Sequence, residues 1–251
     1  MQPELHIGPL TLQTFGLAFA CAFLACGLLV ARRLRELDRP VDWAYEAVFA
    51  AFAGGLVGAR VDYLIQHWSE VSDDFLGSIF SGSGLVFFGG LIGGLIGVVL
   101  WGRWRGCPLA VLADIAGPTV ALGYTIGRVG CQVSGDGDYG VATGLPWAMA
   151  YPDGAVPTTE IVHPTPVYET LAMGLVTLVL WRLRDCVRPG ALFALYLLVA
   201  GTERFLVEFI RRNDAVVAGL TVPQLFSLLA ALAGAAWLAR GGVMARGAPA
   251  R

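Results

Sequence analysis

The stretch TFGLAFACAFLACGLLVARRLRELDR, residues 14–39, decides how the rest of the chain is read. Residues 14–31 carry no charge, and Arg32, Arg33, Arg35 and Arg39 follow at once. A membrane helix needs about 20 mostly apolar residues. A cleavable secretory signal carries its basic residues before the apolar run. Here the preceding flank, MQPELHIGPL, has no arginine. The stretch therefore reads as a retained membrane span, with its basic end facing the cytoplasm.

Six more runs of the same kind follow, at roughly 44–66, 84–101, 109–127, 164–181, 190–208 and 221–239. Only 14% of the 251 residues are charged, against about 25% in soluble domains. That deficit extends along the whole chain, which is what a membrane solvent requires. The net charge of −2 excludes a nucleic-acid partner. All the basic residues are arginine. Besides the first cluster, Arg103 and Arg105, Arg182, Arg184 and Arg188, and Arg240, Arg246 and Arg251 follow alternate runs. The intervening connections hold Glu70, Asp73 and Asp74, then Asp136, Asp138, Asp153 and Glu160. This alternation predicts an all-α polytopic protein of seven transmembrane helices, N-terminus outside and C-terminus inside. One transmembrane domain is expected over 1–251, with a small periplasmic loop or cap at 128–163 and a basic cytoplasmic tail at 240–251. A floppy linker is as good a reading of 136–160 taken alone.

Small residues recur one turn apart at Gly54 and Gly58, at Gly89, Gly93 and Gly97, at Gly90 and Gly94, and at Gly123 and Gly127. That spacing predicts close helix approach. Trp43, Trp68, Trp147 and Tyr151 fall where aromatic belts form. Asp114 reads as a polar packing residue. The five cysteines form no CxxC pair, so neither a zinc site nor a redox motif is expected. No inverted repeat points to a transporter.

Five arginines break the charge rule: Arg60, Arg128, Arg204, Arg211 and Arg212 lie at or near the outer ends of predicted helices. An arginine within a membrane costs roughly 2.5 kcal/mol or more. Either internal carboxylates or an anionic ligand must offset that cost. Arg204 and Glu208 are i,i+4, Arg211 follows Glu208 by three, Asp62 is near Arg60, and Asp136 and Asp138 lie beyond Arg128. Guanidinium forks suit phosphate, and the anion at that depth is a phospholipid headgroup.

Seven stretches, in order along the chain, resemble one family. GRVGCQVSGDGDYG (127–140) resembles the signature G-R-x-G-N-F-x-N-x-E-x-x-G of the prolipoprotein diacylglyceryl transferases. GARVDYL (58–64), GLVFFGGLIGG (84–94), DIAGPTVALGYTIGR (114–128), HPTPVYE (163–169) and ERFLVEFIRRND (203–214) resemble its other blocks, and HIGPLTLQTFG (6–16) its opening. The resemblance implies transfer of a diacylglyceryl group from phosphatidylglycerol to the lipobox cysteine of a prolipoprotein, with release of glycerol phosphate. It implies a multi-pass protein of the bacterial inner membrane, working as a monomer, with no cofactor and no metal. The partners would be phosphatidylglycerol, a signal-peptide-bearing prolipoprotein and membrane lipid.

By the same resemblance, Arg128 and Arg204 would hold phosphate, Glu208 would orient Arg204, and Asp136 stands in place of the signature Glu. Arg60, Tyr63, Gly89, Gly90, His163, Tyr168, Glu169 and Arg211 match family positions and would line the substrate site. The chain departs from the pattern at Phe88, where the family has His, and at Cys131, Gln132, Ser134 and Ala200. Phe88, Cys131 and Ser134 would still lie against substrate. With that His absent, the base for the acceptor thiol would be Asp136, Glu208, His163 or water. The departures leave two alternatives: a homologue with another acceptor or lipid, and a lipid- or lipoprotein-binding protein without turnover.

Overall fold

The computed structural model describes residues 1–8, 10–68 and 87–243. All seven expected runs are helices: α1 Thr14–Glu36, α2 Trp43–Gln66, α3 Phe87–Trp104, α4 Leu109–Ser134, α5 Thr165–Leu183, α6 Ala191–Val207 and α7 Val222–Gly241. The protein is an all-α polytopic membrane protein. Five of the helices (α1, α2, α4, α5 and α7) are long and apolar enough to cross a membrane. The apolar part of α3, Gly89–Trp104, is shorter. α6 ends in a 3-10 turn, Glu208–Ile210. Large apolar side chains such as Leu24, Leu28, Leu171, Leu175, Leu178 and Leu229 face outward. An exposed surface of that kind belongs in lipid rather than in water.

The chain divides into two compact units, Gly27–Leu112 and Met1–Cys26 with Ala113–Arg251. The first is organised by α2 and α3. A Cβ added at Gly58 would lie 2.2 Å from the Gly89 carbonyl oxygen, and one at Gly93 the same distance from that of Gly54. The predicted glycine spacings are thus backbone-to-backbone contacts, attainable only without side chains. Polar locks close both ends of the pair. Glu46 of α2 accepts hydrogen bonds from Trp101 Nε1 (2.9 Å) and Arg105 Nε (2.8 Å). Asp62 accepts one from the Gly89 amide (2.9 Å) in the first turn of α3, where a carboxylate also suits the helix dipole.

In the second unit α6 and α7 pack closely through Gly201 against Ser227 and Gly234 against Ala194. Asp114 of α4 accepts hydrogen bonds from the amides of Gly190 (2.8 Å) and Leu192 (3.1 Å) at the start of α6. It is therefore a cap supplied by a neighbouring helix. α7 opens with a capping box between Thr221 and Gln224 that encloses Pro223, a start signal legible in TVPQ.

Two short hairpins frame this unit. β1 Glu4–Ile7 pairs with β2 Leu10–Gln13 ahead of α1, a feature the apolar pattern does not announce. β3 Met149–Tyr151 pairs with β4 Thr158–Val162 between α4 and α5. The connection between α4 and α5 thus contains a paired hairpin. It also begins later than expected, because α4 continues through 128–134. Arg128 need not end the helix, since its charge is met sideways by carboxylates.

Tyr151 is no belt residue: it is 1% exposed, stacks on Tyr139 at 5.0 Å and donates to Gln132 Oε1 at 2.9 Å. Burial pushes its hydroxyl up to about 12, so it remains a donor. The tail expected over 240–251 falls outside the described residues from 244 onward.

Candidate functional site: a buried arginine–carboxylate cluster

Three of the five irregular arginines meet at one carboxylate. Glu169, in the first turns of α5, has a side chain with 0% exposure. Arg128 Nε of α4 approaches its Oε2 at 3.2 Å, Arg204 Nη1 of α6 its Oε1 at 3.2 Å, and Arg211 Nη1 its Oε2 at 3.4 Å. Tyr124, one turn before Arg128, donates its hydroxyl to Glu169 Oε1 at 2.6 Å and lies under the Arg128 guanidinium.

Glu208, also with a fully buried side chain, forms the second node. Its Oε2 is 2.8 Å from Arg204 Nη2 and 3.7 Å from Arg211 Nε. Its Oε1 accepts from Asn213 Nδ2 (2.6 Å) and Thr221 Oγ1 (2.8 Å). The i,i+4 and i,i+3 pairs read from the sequence are thus both made.

Asp138 is the third node. Its two oxygens take Arg128 Nη1 and Arg211 Nη2. Its side chain is 32% exposed, unlike the other two carboxylates. Burial pushes its carboxyl up, but the guanidiniums of Arg128 and Arg211 outweigh this and hold it below the ordinary carboxylate value. Asp136, the residue expected from the signature, is not engaged by these three guanidiniums. It accepts the Asp138 amide at 3.3 Å.

The cluster thus sets three arginines against three carboxylates in direct contact. Glu203, one residue before Arg204, couples electrostatically to Glu169 and to all three arginines. Burying one unpaired charge is costly, whereas a hydrogen-bonded network of opposite charges is tolerated. Three of the arginines that break the charge rule, Arg128, Arg204 and Arg211, are thus offset within the cluster.

Cys131 is buried one turn after Arg128, 3.8 Å from its Nη1 and 3.6 Å from Asp138 Oδ2. Cys131 Sγ and carboxylate oxygens of Asp136 and Asp138 lie within 4.8 Å of one another. With the Arg128 guanidinium against this trio, a metal cation would meet a like charge. Ser134 is buried and donates to the Cys131 carbonyl (3.3 Å). Gln132, where the family has Phe, ties α4 to Tyr151 and to Met149 Sδ (3.3 Å). That accounts for a polar residue at this position.

His163 and Tyr168 form a separate group at the start of α5. His163 Nδ1 is 3.3 Å from the Tyr168 hydroxyl, which also accepts from Trp147 Nε1 at 2.7 Å. The His163 carbonyl accepts the Gly140 amide (2.9 Å). Arg212 donates to the Gly140 carbonyl (2.9 Å), stacks over Tyr139 and pairs with Glu160.

The remaining expected residues belong to the α2–α3 unit. Arg60 lies over the Tyr63 ring at 5.2 Å, and Tyr63 stacks on His67 at 4.4 Å. Gly89 is held by Asp62, and Gly90 approaches Ala59. Phe88 stands in the first turn of α3, and its side chain lies outside the described residues.

Tyr124, Asn213 and Thr221 were not among the residues expected in the site, and Asp138 was expected only as one of two carboxylates beyond Arg128. Tyr124 precedes Arg128 by one turn and Thr221 opens a capping box, so both carry a local signal. Asn213 carries none.

These features define a multi-pass membrane protein with a buried arginine–carboxylate cluster near the ends of its helices. The family model described as prolipoprotein diacylglyceryl transferase matches residues 3–240. The phosphatidylglycerol–prolipoprotein diacylglyceryl transferase of Methylococcus capsulatus is 36% identical over 216 residues, covering 82% of this chain and 80% of that protein. Proteins of the same name from Dehalococcoides mccartyi (33% over 227 residues; 89% and 86%) and Leptospira interrogans (30% over 231; 81% and 73%) are also similar. The chain belongs to the prolipoprotein diacylglyceryl transferase family.

Proposed function

We propose that the protein moves the diacylglyceryl group of phosphatidylglycerol onto the lipobox cysteine of a prolipoprotein, releasing glycerol phosphate, in the bacterial inner membrane. The observation that carries this reading is the convergence of Arg128, Arg204 and Arg211 on Glu169 in a member of this family. In the reaction the acceptor sulfur attacks a glyceryl carbon. A carbon–sulfur bond forms, the carbon–oxygen bond to phosphate breaks, and the electron pair passes to the phosphate oxygen. Preorganised guanidiniums facing that oxygen stabilise the charge it gains. The nucleophile comes with the acceptor, so the protein supplies a phosphate clamp and a proton acceptor.

The Glu208 carboxylate is already engaged by Arg204, Asn213 and Thr221. Asp136, which those arginines do not neutralise, is assigned the role of proton acceptor. The charge pattern supports seven spans, with the N-terminus and the α4–α5 connection outside and the C-terminus inside. Arg60, Tyr63, Phe88, Gly89, Gly90, Cys131, Ser134, His163 and Tyr168 are each proposed to contact substrate, as the family resemblance implies.

A second reading, phospholipid binding without turnover, is favoured by one observation: Phe88 and Ala200 stand where the family has His and Tyr. The test is transfer of labelled diacylglycerol from phosphatidylglycerol to a lipobox peptide by purified protein. Arg128→Ala and Arg204→Ala are each expected to lower kcat by about 10²–10³-fold, the scale for removing one charge-stabilising donor. A folded wild type with no turnover would leave the binding reading.

A further inference from the structure

The three carboxylates of the cluster are not equivalent. Glu169 and Glu208 have fully buried side chains, and each is held by neutral donors besides arginine: Tyr124 for the first, Asn213 and Thr221 for the second. Asp138 is different in three respects. Its side chain is one-third exposed. Apart from the Cys131 thiol at 3.6 Å, its carboxylate is held by Arg128 and Arg211. Its backbone is anchored independently of its side chain, because its carbonyl accepts the Thr165 hydroxyl and its amide donates to Asp136. The Asp138 carboxylate can therefore leave the two guanidiniums by side-chain rotation alone, with the loop in place.

We propose that Asp138 is a built-in stand-in for the anion of the substrate: its carboxylate occupies the Arg128–Arg211 pair until a phosphodiester displaces it. This rests on the reading of the cluster as a phosphate site. The exchange is like for like. An ionised carboxylate and a phosphodiester each bring one negative charge and two oxygens able to accept parallel hydrogen bonds from guanidinium. The charge of the cluster is the same before and after, so neither state leaves an arginine unpaired. Arg204, locked between Glu169 and Glu208, remains in place throughout. The lipid headgroup enters from the side on which Asp138 is exposed, and the empty cluster keeps its arginines ordered while it waits.

An internal competitor weakens apparent affinity by the fraction of molecules in which it has moved aside. With the displaced rotamer populated at roughly a tenth, Asp138→Asn is expected to bind the headgroup about tenfold more tightly. The probe is glycerophosphoglycerol, the water-soluble phosphodiester of the phosphatidylglycerol headgroup, titrated calorimetrically into the full-length protein in detergent. Glu160→Gln, which removes an exposed carboxylate paired with Arg212, serves as the charge control and is expected to bind like wild type. Tighter binding by Asp138→Asn alone, with a lower KM for phosphatidylglycerol, supports the proposal.

Equal or weaker binding by a monodisperse Asp138→Asn protein overturns it, as does a loss of kcat at unchanged KM, which would assign Asp138 to the chemistry. If the Asn variant is not monodisperse, Asp138→Ser carries the same comparison. The two readings fail separately. A wild type that binds the probe without turnover retires the transferase reading alone. A wild type that turns over while Asp138→Asn shows no tightening retires the stand-in alone. Absence of binding in every variant retires the stand-in together with the phosphate site.

Discussion

The α2–α3 pair and the α4–α5–α6 cluster hold helices together by opposite means. In the first, side chains are missing: Gly54, Gly58, Gly89 and Gly93 let two backbones meet, and the polar locks at Glu46 and Asp62 sit at the ends. In the second, the longest charged side chains available cross the interface and neutralise one another around Glu169. A glycine contact gains dispersion and close packing and has no use for an external ligand. An arginine cluster is held together by charges that an external anion can share. Glycine packing therefore makes scaffold, and the charged cluster makes a site that responds to what binds it.

The sharpest way to break this contrast is at Glu169. Glu169→Ala leaves three buried guanidiniums without their shared partner, and loss of about 3–5 kcal/mol is expected. Thermal unfolding in detergent should show a large drop in Tm, and a drop as small as that of an exposed substitution would remove Glu169 as the hub. Next is Gly58→Leu, whose added Cβ would fall 2.2 Å from a carbonyl oxygen that belongs to a backbone and cannot swing away. Overpacking of that kind costs about 1–3 kcal/mol. Gly58→Leu should lower Tm, whereas Leu at Gly127, where an added Cβ meets nothing within 4 Å, should not.

A smaller effect tests the charged region by pH. Asp138 has a depressed carboxyl, so its ionised form stabilises the fold above the ordinary aspartate value of 3.8, and that contribution fades as pH falls through the lower folded value. The Tm difference between wild type and Asp138→Asn should be constant near neutrality and shrink below about pH 4. A difference that grew on acidification would contradict the ion pairs drawn here. Smallest is Tyr168→Phe, which removes the acceptor of Trp147 Nε1 and is expected to cost about 1 kcal/mol, readable as a modest Tm shift.

How legible these regions were in the sequence follows the same division. Glycine spacing along one helix is a local pattern, and it pointed to the α2–α3 contact directly. The Arg204–Glu208–Arg211 relay was legible too, because helical geometry alone brings i,i+3 and i,i+4 residues together. The choice between Asp136 and Asp138 was not. It depends on the turn after α4, where Gly135 (φ 62°) and Gly137 (φ 94°) adopt left-handed backbone and return Asp138 toward Arg128. Tyr151 misled for a related reason. A tyrosine near a helix end suits a membrane interface, but the β3–β4 hairpin folds this one inward against Tyr139.

The sequence by itself determined the membrane character, the seven helices and the arginines that needed an explanation. Apolar composition and helical periodicity act over a few turns of one segment, so they can be read along the chain. Only the tertiary structure decided that Arg128, Arg204 and Arg211 share Glu169, and that Asp138, rather than Asp136, completes the cluster. Ion pairing and desolvation act through space between residues 128, 138, 169, 204 and 211, and no spacing along the chain encodes which of them will meet.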